Sequence, residues 1–166
     1  NTNNKKYFKD NWSNKELHQN LIKLKKEQYS QIYDNFGKSS FIYDLLNSNK
    51  LFSLAANFLN TDLDKLFLYN AYLRMDKPKD KKHILGWHTD DIYSKKGCTI
   101  WCPLTNVSPL NGTIQVVPGS TKEFDQKQKN KSKNINLTQG DLLIFNVKML
   151  HRSGYNKSSK IRFVMV

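Results

Sequence analysis

Apolar residues recur at helical spacing through the first third of the chain and then change period. Leu17, Leu21, Leu24, Tyr29 and Ile32 predict a helix over 14–35, ended by Gly37. Residues 41–46 form a short second helix. Residues 51–59 form a third, with Leu51, Leu54, Ala55 and Phe58 on one face. These segments read as a helical layer packed on the outside of something else. After Asp64 the period shortens to two. Tyr69, Ala71 and Leu73 alternate with Asn70, Tyr72 and Arg74, which predicts a strand over 66–75. Residues 77–82 are a charged loop, and 83–91 extend again. Residues 98–104 are rich in strand formers, with Thr99 and Trp101 on a shared face. Pro109-Leu110-Asn111-Gly112 is a turn of the kind that joins hairpins. Residues 113–117 form a strand that Pro118-Gly119 breaks. Residues 122–134 are a polar excursion, expected to be mobile. Residues 142–145 are apolar on both faces, hence a buried strand, and 161–166 form the last one. Seven or so short strands separated by Gly, Pro and Asn turns argue for a sandwich or barrel.

The length of 166 residues fits one domain, 1–166, with a helical layer at 14–60 and a β core at 64–166. A hydrophobic fraction of 38% and a mean hydropathy of −0.69 fit a globular chain. No apolar run reaches the length of a membrane span. The polar, Lys-rich stretch 1–10 lacks the apolar centre of a signal peptide, so a cytoplasmic location and no membrane partner are expected. Cys98 and Cys102, on one strand, would stand about 13 Å apart at roughly 3.3 Å per residue. That is too far for a disulfide, so free thiols are expected. The net charge of +13 comes from 24 Lys and only 3 Arg. The Lys residues are scattered apart from 77–82 and 122–133. This reads as a solvated basic surface, and no nucleic-acid partner is expected. The scarcity of Arg draws attention to Arg74, Arg152 and Arg162.

Gly86-Trp87-His88-Thr89-Asp90 carries the candidate chemistry. On an extended segment, residues two apart point the same way, so His88 and Asp90 lie side by side. They are two corners of a 2-His-1-carboxylate triad, which holds Fe(II) and leaves open positions. His151, which follows the buried strand and its connection, is the candidate third corner. Arg162 stands among Ile161, Phe163 and Val164. A buried arginine must be paired, and its planar fork suits a carboxylate. Ser153, two residues past His151, could donate to the same carboxylate. Other polar residues read as structural. His83 and His18 are surface or core histidines. Asp91 is a loop carboxylate or substrate contact, Trp87 core or pocket wall, and Arg152 points outward. Arg74 is either a pocket cation or a surface ion-pair member.

The order of several elements resembles the phytanoyl-CoA dioxygenase-like family of Fe(II)/2-oxoglutarate oxygenases, which includes ectoine hydroxylase. They are Trp87-His88-Thr89-Asp90, Trp101-Cys102-Pro103-Leu104, Leu110-Asn111-Gly112, Val117-Pro118-Gly119-Ser120, Gly140-Asp141-Leu142-Leu143-Ile144-Phe145, His151, Ser153, Asn156 and Arg162. The resemblance covers about residues 40–166, with 48–59 similar to the family's helix before the core. It implies a mainly β fold with N-terminal helices: a double-stranded β-helix, or jelly roll, with helices packed on one sheet. It implies iron on His88, Asp90 and His151. Arg162 would take the distal carboxylate of 2-oxoglutarate with Ser153 helping, and Trp101, Thr99 and Asn70 or Tyr72 would line the cosubstrate pocket. Two departures stand out. Thr121 occupies a place where the family often has His, and the stretch between Asp90 and Trp101 is short. The implied activity is hydroxylation of a small molecule with O2, 2-oxoglutarate becoming succinate and CO2. The alternatives are a nucleic-acid dealkylase of the same chemistry and a non-catalytic jelly roll that binds a ligand. Substrate identity and oligomeric state are not legible.

Overall fold

The structure, a computed structural model, describes residues 14–46, 49–92, 96–120 and 126–166. Among the described residues, four α-helices precede seven strands: α1 Lys15–Lys23, α2 Lys26–Phe36, α3 Ser40–Leu46, α4 Asn49–Leu59; then β1 Leu73–Asp76, β2 Cys98–Pro103, β3 Ile114–Val116, β4 Lys133–Ile135, β5 Leu143–Asn146, β6 His151–Ser153 and β7 Arg162–Met165. Among the described residues, no helix is long and apolar enough to cross a membrane.

The helix expected over 14–35 is two helices. Asn14 caps the first, its side chain accepting from the Glu16 and Leu17 amides. Leu24 and Lys25 then leave helical backbone. The carbonyls of Ile22 and Leu24 face the Lys77 ammonium at 3.4 and 3.2 Å. A cation on the carbonyl end of α1 supplies what a continuing helix would have supplied. Gly37 ends α2 as expected, but with ordinary right-handed backbone. Its small size serves another purpose: a Cβ there would meet the Ala71 carbonyl oxygen at 2.4 Å. In α4 the buried residue is Ala56, while Leu54 and Phe58 of the expected apolar face are exposed.

The strands form two antiparallel sheets. One has the order β1-β7-β2-β5 and the other β4-β3-β6. Leu73, Met75, Ile161 and Phe163 turn one face of the first sheet toward Leu21 of α1 and Tyr29, Ile32 and Phe36 of α2. Its other face meets the second sheet through Trp101, Phe145, Val164, Ile114 and Val116. The sequence −Phe163-Val164− therefore feeds two cores with successive residues, and both are fully buried. Each such side chain contributes about 1.5–3 kcal/mol by leaving water.

Two expectations change. The strand at 66–75 begins only at Leu73, although Tyr72 already exchanges backbone hydrogen bonds with Val166. Among the described residues no strand lies beside 66–71, and Phe67 and Tyr69 are exposed. The Asn111-Gly112 turn is present, with Gly112 at φ +88°. It joins β2 to β3 across the two sheets, so it is not a hairpin. β5 lies at a sheet edge, which explains why only its Phe145 is buried and Leu142 is exposed. Residues 121–125, within the expected mobile excursion, lie outside the described residues. The excursion's far end is ordered as β4, paired to β3.

The cysteines are free, half-buried and both on β2. Burial pushes both thiols up from their usual range.

Candidate metal centre

His88, Asp90 and His151 come together. One donor atom from each lies within 4.8 Å of the others. His88 Nε2 stands 3.6 Å from Asp90 Oδ1, and His151 Nε2 stands 3.6 Å from Asp90 Oδ2. Three donors at right angles on an ion at about 2.1 Å would stand about 3 Å apart. The Asp90 carboxylate thus lies between the two imidazoles, one oxygen toward each, in a group that could hold one metal ion.

The local chain explains the arrangement. His88 and His151 exchange both backbone hydrogen bonds, at 2.9 and 3.0 Å, and the Asp90 amide donates to the Val147 carbonyl. Residues 88–90 are thus held against the segment between the end of β5 and the start of β6, and the alternation of sides follows. His88 Nδ1 lies 2.7 Å from the Gly86 carbonyl and His151 Nδ1 lies 2.9 Å from the Met149 carbonyl. A carbonyl can only accept, so each Nδ1 carries the proton and each Nε2 presents its lone pair to the centre. Thr99 Oγ1 donates to Asp90 Oδ2 at 2.6 Å. His151 is buried against the edge of the Phe145 ring. Burial holds its imidazole below the usual pKa, in the neutral form that binds metal.

A cavity of about 20 Å³ at this centre is lined by the three residues together with Tyr72, Arg74, Thr99, Trp101 and Ser153. Thr99, Trp101, Tyr72 and Ser153 thus gather around the three donors. Asn70 is exposed and lines neither this cavity nor the larger one beside it. The register places Tyr72, with Arg74, on the inner face. Burial pushes the Tyr72 phenol up to about 12.

Arg162 is 1% exposed, on the same face of β7 as Val164. Its partner is one the sequence reading missed. Nε and Nη2 both bond Asp76 Oδ2, at 3.1 and 2.7 Å, and Nη1 reaches the Gly154 carbonyl at 3.4 Å. Arg74 Nη2 bonds Asp76 Oδ1 at 2.8 Å. Burial alone would raise the Asp76 pKa, but Arg162 and Arg74 outweigh it and hold the carboxyl below its usual range. The signal was available: Arg74-Met75-Asp76 has the same i, i+2 spacing as His88-Thr89-Asp90.

Beside the centre, α2, β1 and residues 77–85 enclose a cavity of about 410 Å³, walled by Tyr29, Tyr33, Tyr72 and Arg74. Tyr72, Arg74 and Leu85 line both cavities. Three of the residues set aside have partners of their own, and Arg152, expected to point outward, instead borders the small cavity. His18 is buried, accepting the Ile161 amide on Nδ1 and packing on Phe163. His83 bonds Asp80. Arg152 bonds Gln115 and lies over the Trp87 ring, at the rim of the small cavity.

Known structures share this architecture. AviO1 from Streptomyces viridochromogenes Tue57 is 25% identical, with a TM-score of 0.62 over 74% of this chain and 57% of its own. EvdO2 from Micromonospora carbonacea var. aurantiaca is 18% identical, with a TM-score of 0.64 over 78% of this chain and 63% of its own. That protein is also known in complex with 2-oxoglutarate. SnoN, an epimerase from nogalamycin biosynthesis, is 19% identical, with a TM-score of 0.70 over 81% and 57%. The chain spans roughly three fifths of the length of these proteins. No curated protein matches it significantly. The family model for phytanoyl-CoA dioxygenase matches residues 14–164, a span that takes in both helices packed on the first sheet and all three donors of the centre. On that match, the chain belongs to the phytanoyl-CoA dioxygenase (PhyH) family.

Proposed function

We propose that this chain is an Fe(II)- and 2-oxoglutarate-dependent dioxygenase domain that hydroxylates a small-molecule substrate. Its two sheets are read as the double-stranded β-helix of the family, with one domain over 1–166. The observation that carries the proposal is the convergence of His88, Asp90 and His151 with both Nδ1 atoms committed to carbonyls. Two neutral imidazoles and one carboxylate on one side of an ion suit non-haem Fe(II) and leave the other side open. Both ligand types fit, and one donor atom from each residue lies within 4.8 Å of the others.

With iron bound, O2 and 2-oxoglutarate together supply an oxidant strong enough for an unactivated C–H bond, with succinate, CO2 and the hydroxylated product as the balance. The chain's own residues do the positioning. Thr99 fixes the Asp90 carboxylate. Phe145 and Trp101 exclude water from the inner side of the centre. Arg162, with Ser153 nearby, is read as the anchor for the cosubstrate's distal carboxylate. Tyr72 and Arg74 form the wall between the centre and the larger cavity, where the substrate would sit. The iron- and 2-oxoglutarate-bound structures among the relatives support this reading. The substrate is a small molecule in this proposal, with no nucleic-acid or membrane partner.

The test is anaerobic titration of Fe(II) and 2-oxoglutarate, followed by a succinate-release screen against small amino acids, lipids and sugar conjugates. Saturable binding of both and substrate-stimulated succinate support the proposal. Metal binding without any 2-oxoglutarate binding would leave a ligand-binding jelly roll.

A further inference from the structure

Arg162 is the anchor that the proposed function assigns to the cosubstrate, yet its guanidinium is already engaged on every side. Nε and Nη2 both end on Asp76 Oδ2. Nη1 faces the Gly154 carbonyl, and the place where a Cβ on Gly112 would stand is 2.8 Å from it. Arg162 lines neither cavity, whereas Arg74 lines both. A second carboxylate cannot reach the fork of Arg162 while Asp76 holds it.

Charge points the same way. Two guanidinium groups share one carboxylate, and among the described residues Asp76 is the only carboxylate bonded to either of them. The cluster keeps one positive charge in excess in a setting where both arginines are largely desolvated. A buried excess charge is costly, and a second carboxylate would remove that cost. Asp76 has somewhere to go: its Oδ1 already rests on Arg74, so it can give up Arg162 without losing its countercharge.

We propose that Asp76 is an internal occupant of the 2-oxoglutarate anchor: it sits where the cosubstrate's distal carboxylate binds, moves onto Arg74 when the cosubstrate arrives, and so sets the affinity for 2-oxoglutarate. The inference rests on the reading of Arg162 as the anchor. It makes Arg74 the residue that receives the displaced carboxylate, a positioning role that the sequence left open between pocket cation and ion-pair member. It also makes a specific claim about ligand choice: the competition touches only acids with a carboxylate at the far end.

The experiment uses the whole chain loaded with Mn(II), a redox-inert stand-in for Fe(II). Dissociation constants are measured by calorimetry for 2-oxoglutarate and for 2-oxopentanoate, which has the same chain length and chelating head but ends in a methyl group. Wild type is compared with Asp76→Asn. The expected result is 2-oxoglutarate binding about tenfold tighter in the variant, with 2-oxopentanoate changed less than about twofold. Ligand-free Asp76→Asn should melt below wild type, and 2-oxoglutarate should raise its melting temperature more than it raises that of wild type. Equal or weaker 2-oxoglutarate binding in the variant overturns the inference and makes Asp76 a buttress for Arg162. A wild type that binds both acids equally well is a different failure, that of the anchor reading itself. Should Asp76→Asn not fold, a crystal structure of wild type with Mn(II) and 2-oxoglutarate decides. Asp76 shifted from Arg162 onto Arg74 supports the inference. Asp76 still bonded to Arg162, with the cosubstrate bound elsewhere or on Arg74, overturns it.

Discussion

Thr99 Oγ1 donates a 2.6 Å hydrogen bond to Asp90 Oδ2, joining the start of strand β2 to a carboxylate nine residues earlier. Oδ2 is also the oxygen that faces His151. The hydroxyl therefore fixes the rotation of the carboxylate between the two imidazoles. Thr99→Val keeps the shape and removes the donor. Partners of this kind are worth about 10–100-fold in metal affinity. Metal titration should show Thr99→Val binding at least tenfold more weakly, with the folded spectrum unchanged. An unchanged affinity would mean that backbone pairing alone orients Asp90.

Removing a donor should cost more than removing its support. His151→Ala and Asp90→Ala each leave two donors of three, and neither is expected to retain stoichiometric metal at micromolar concentrations. His83→Ala, whose ring bonds Asp80 in a separate surface pair, is the control and should bind metal like wild type. Stoichiometric metal retained in both donor variants would place the metal elsewhere.

Arg162→Lys keeps the charge and loses the fork. An ammonium cannot span Asp76 Oδ2 and the Gly154 carbonyl as the guanidinium does. A charge-assisted contact is worth about 1.5–3 kcal/mol, and about 1.4 kcal/mol is tenfold. The 2-oxoglutarate dissociation constant should rise roughly ten- to a hundredfold, while metal affinity stays within about threefold. Isothermal titration of both ligands on both proteins reads the split.

The Asp76 cluster sets an acid limit on stability. Its carboxyl has a folded-state pKa below the ordinary value of about 3.9. As pH falls, the unfolded chain takes up that proton first. The contribution is therefore complete above about pH 5 and is lost as pH drops through the folded-state value. Urea midpoints measured from pH 6 to pH 3 should fall in wild type and fall less steeply in Asp76→Asn. Parallel curves would show that other carboxylates carry the acid sensitivity.

A net charge of +13 spread over Lys residues predicts weak, non-specific contact with nucleic acid. Fluorescence anisotropy with a random oligonucleotide at physiological salt should show no tight binding. A steep salt slope, near −0.9 per phosphate on duplex DNA, would revive the dealkylase reading.

The donors were legible because their signals are local or chemically scarce. His88 and Asp90 declare themselves by spacing on an extended segment, and His151 by its place after an apolar run. Arg162 declares itself by standing among apolar neighbours. What was not legible depends on partners distant in the chain. The break at Leu24 and Lys25 depends on Lys77, some fifty residues later. The late start of β1 depends on what lies beside 66–71, which periodicity alone does not report. The Asn111-Gly112 turn shows its left-handed glycine in sequence but not which sheets it connects. Asp76 escaped because its neighbours, Lys77 to Lys82, read as a solvated loop.

The pairing of β1 with β7 joins the two ends of the β region, and the third donor lies on β6, 61 residues after Asp90. Such long-range pairing is slow to form, because chain closure precedes the contacts that reward it. The centre therefore exists only once the last strands have docked. A divalent ion has little to hold before that moment, so it acts after the rate-limiting barrier rather than ahead of it. Metal should leave the refolding rate nearly unchanged and slow the unfolding rate, extending the lifetime of the native state without hastening its arrival.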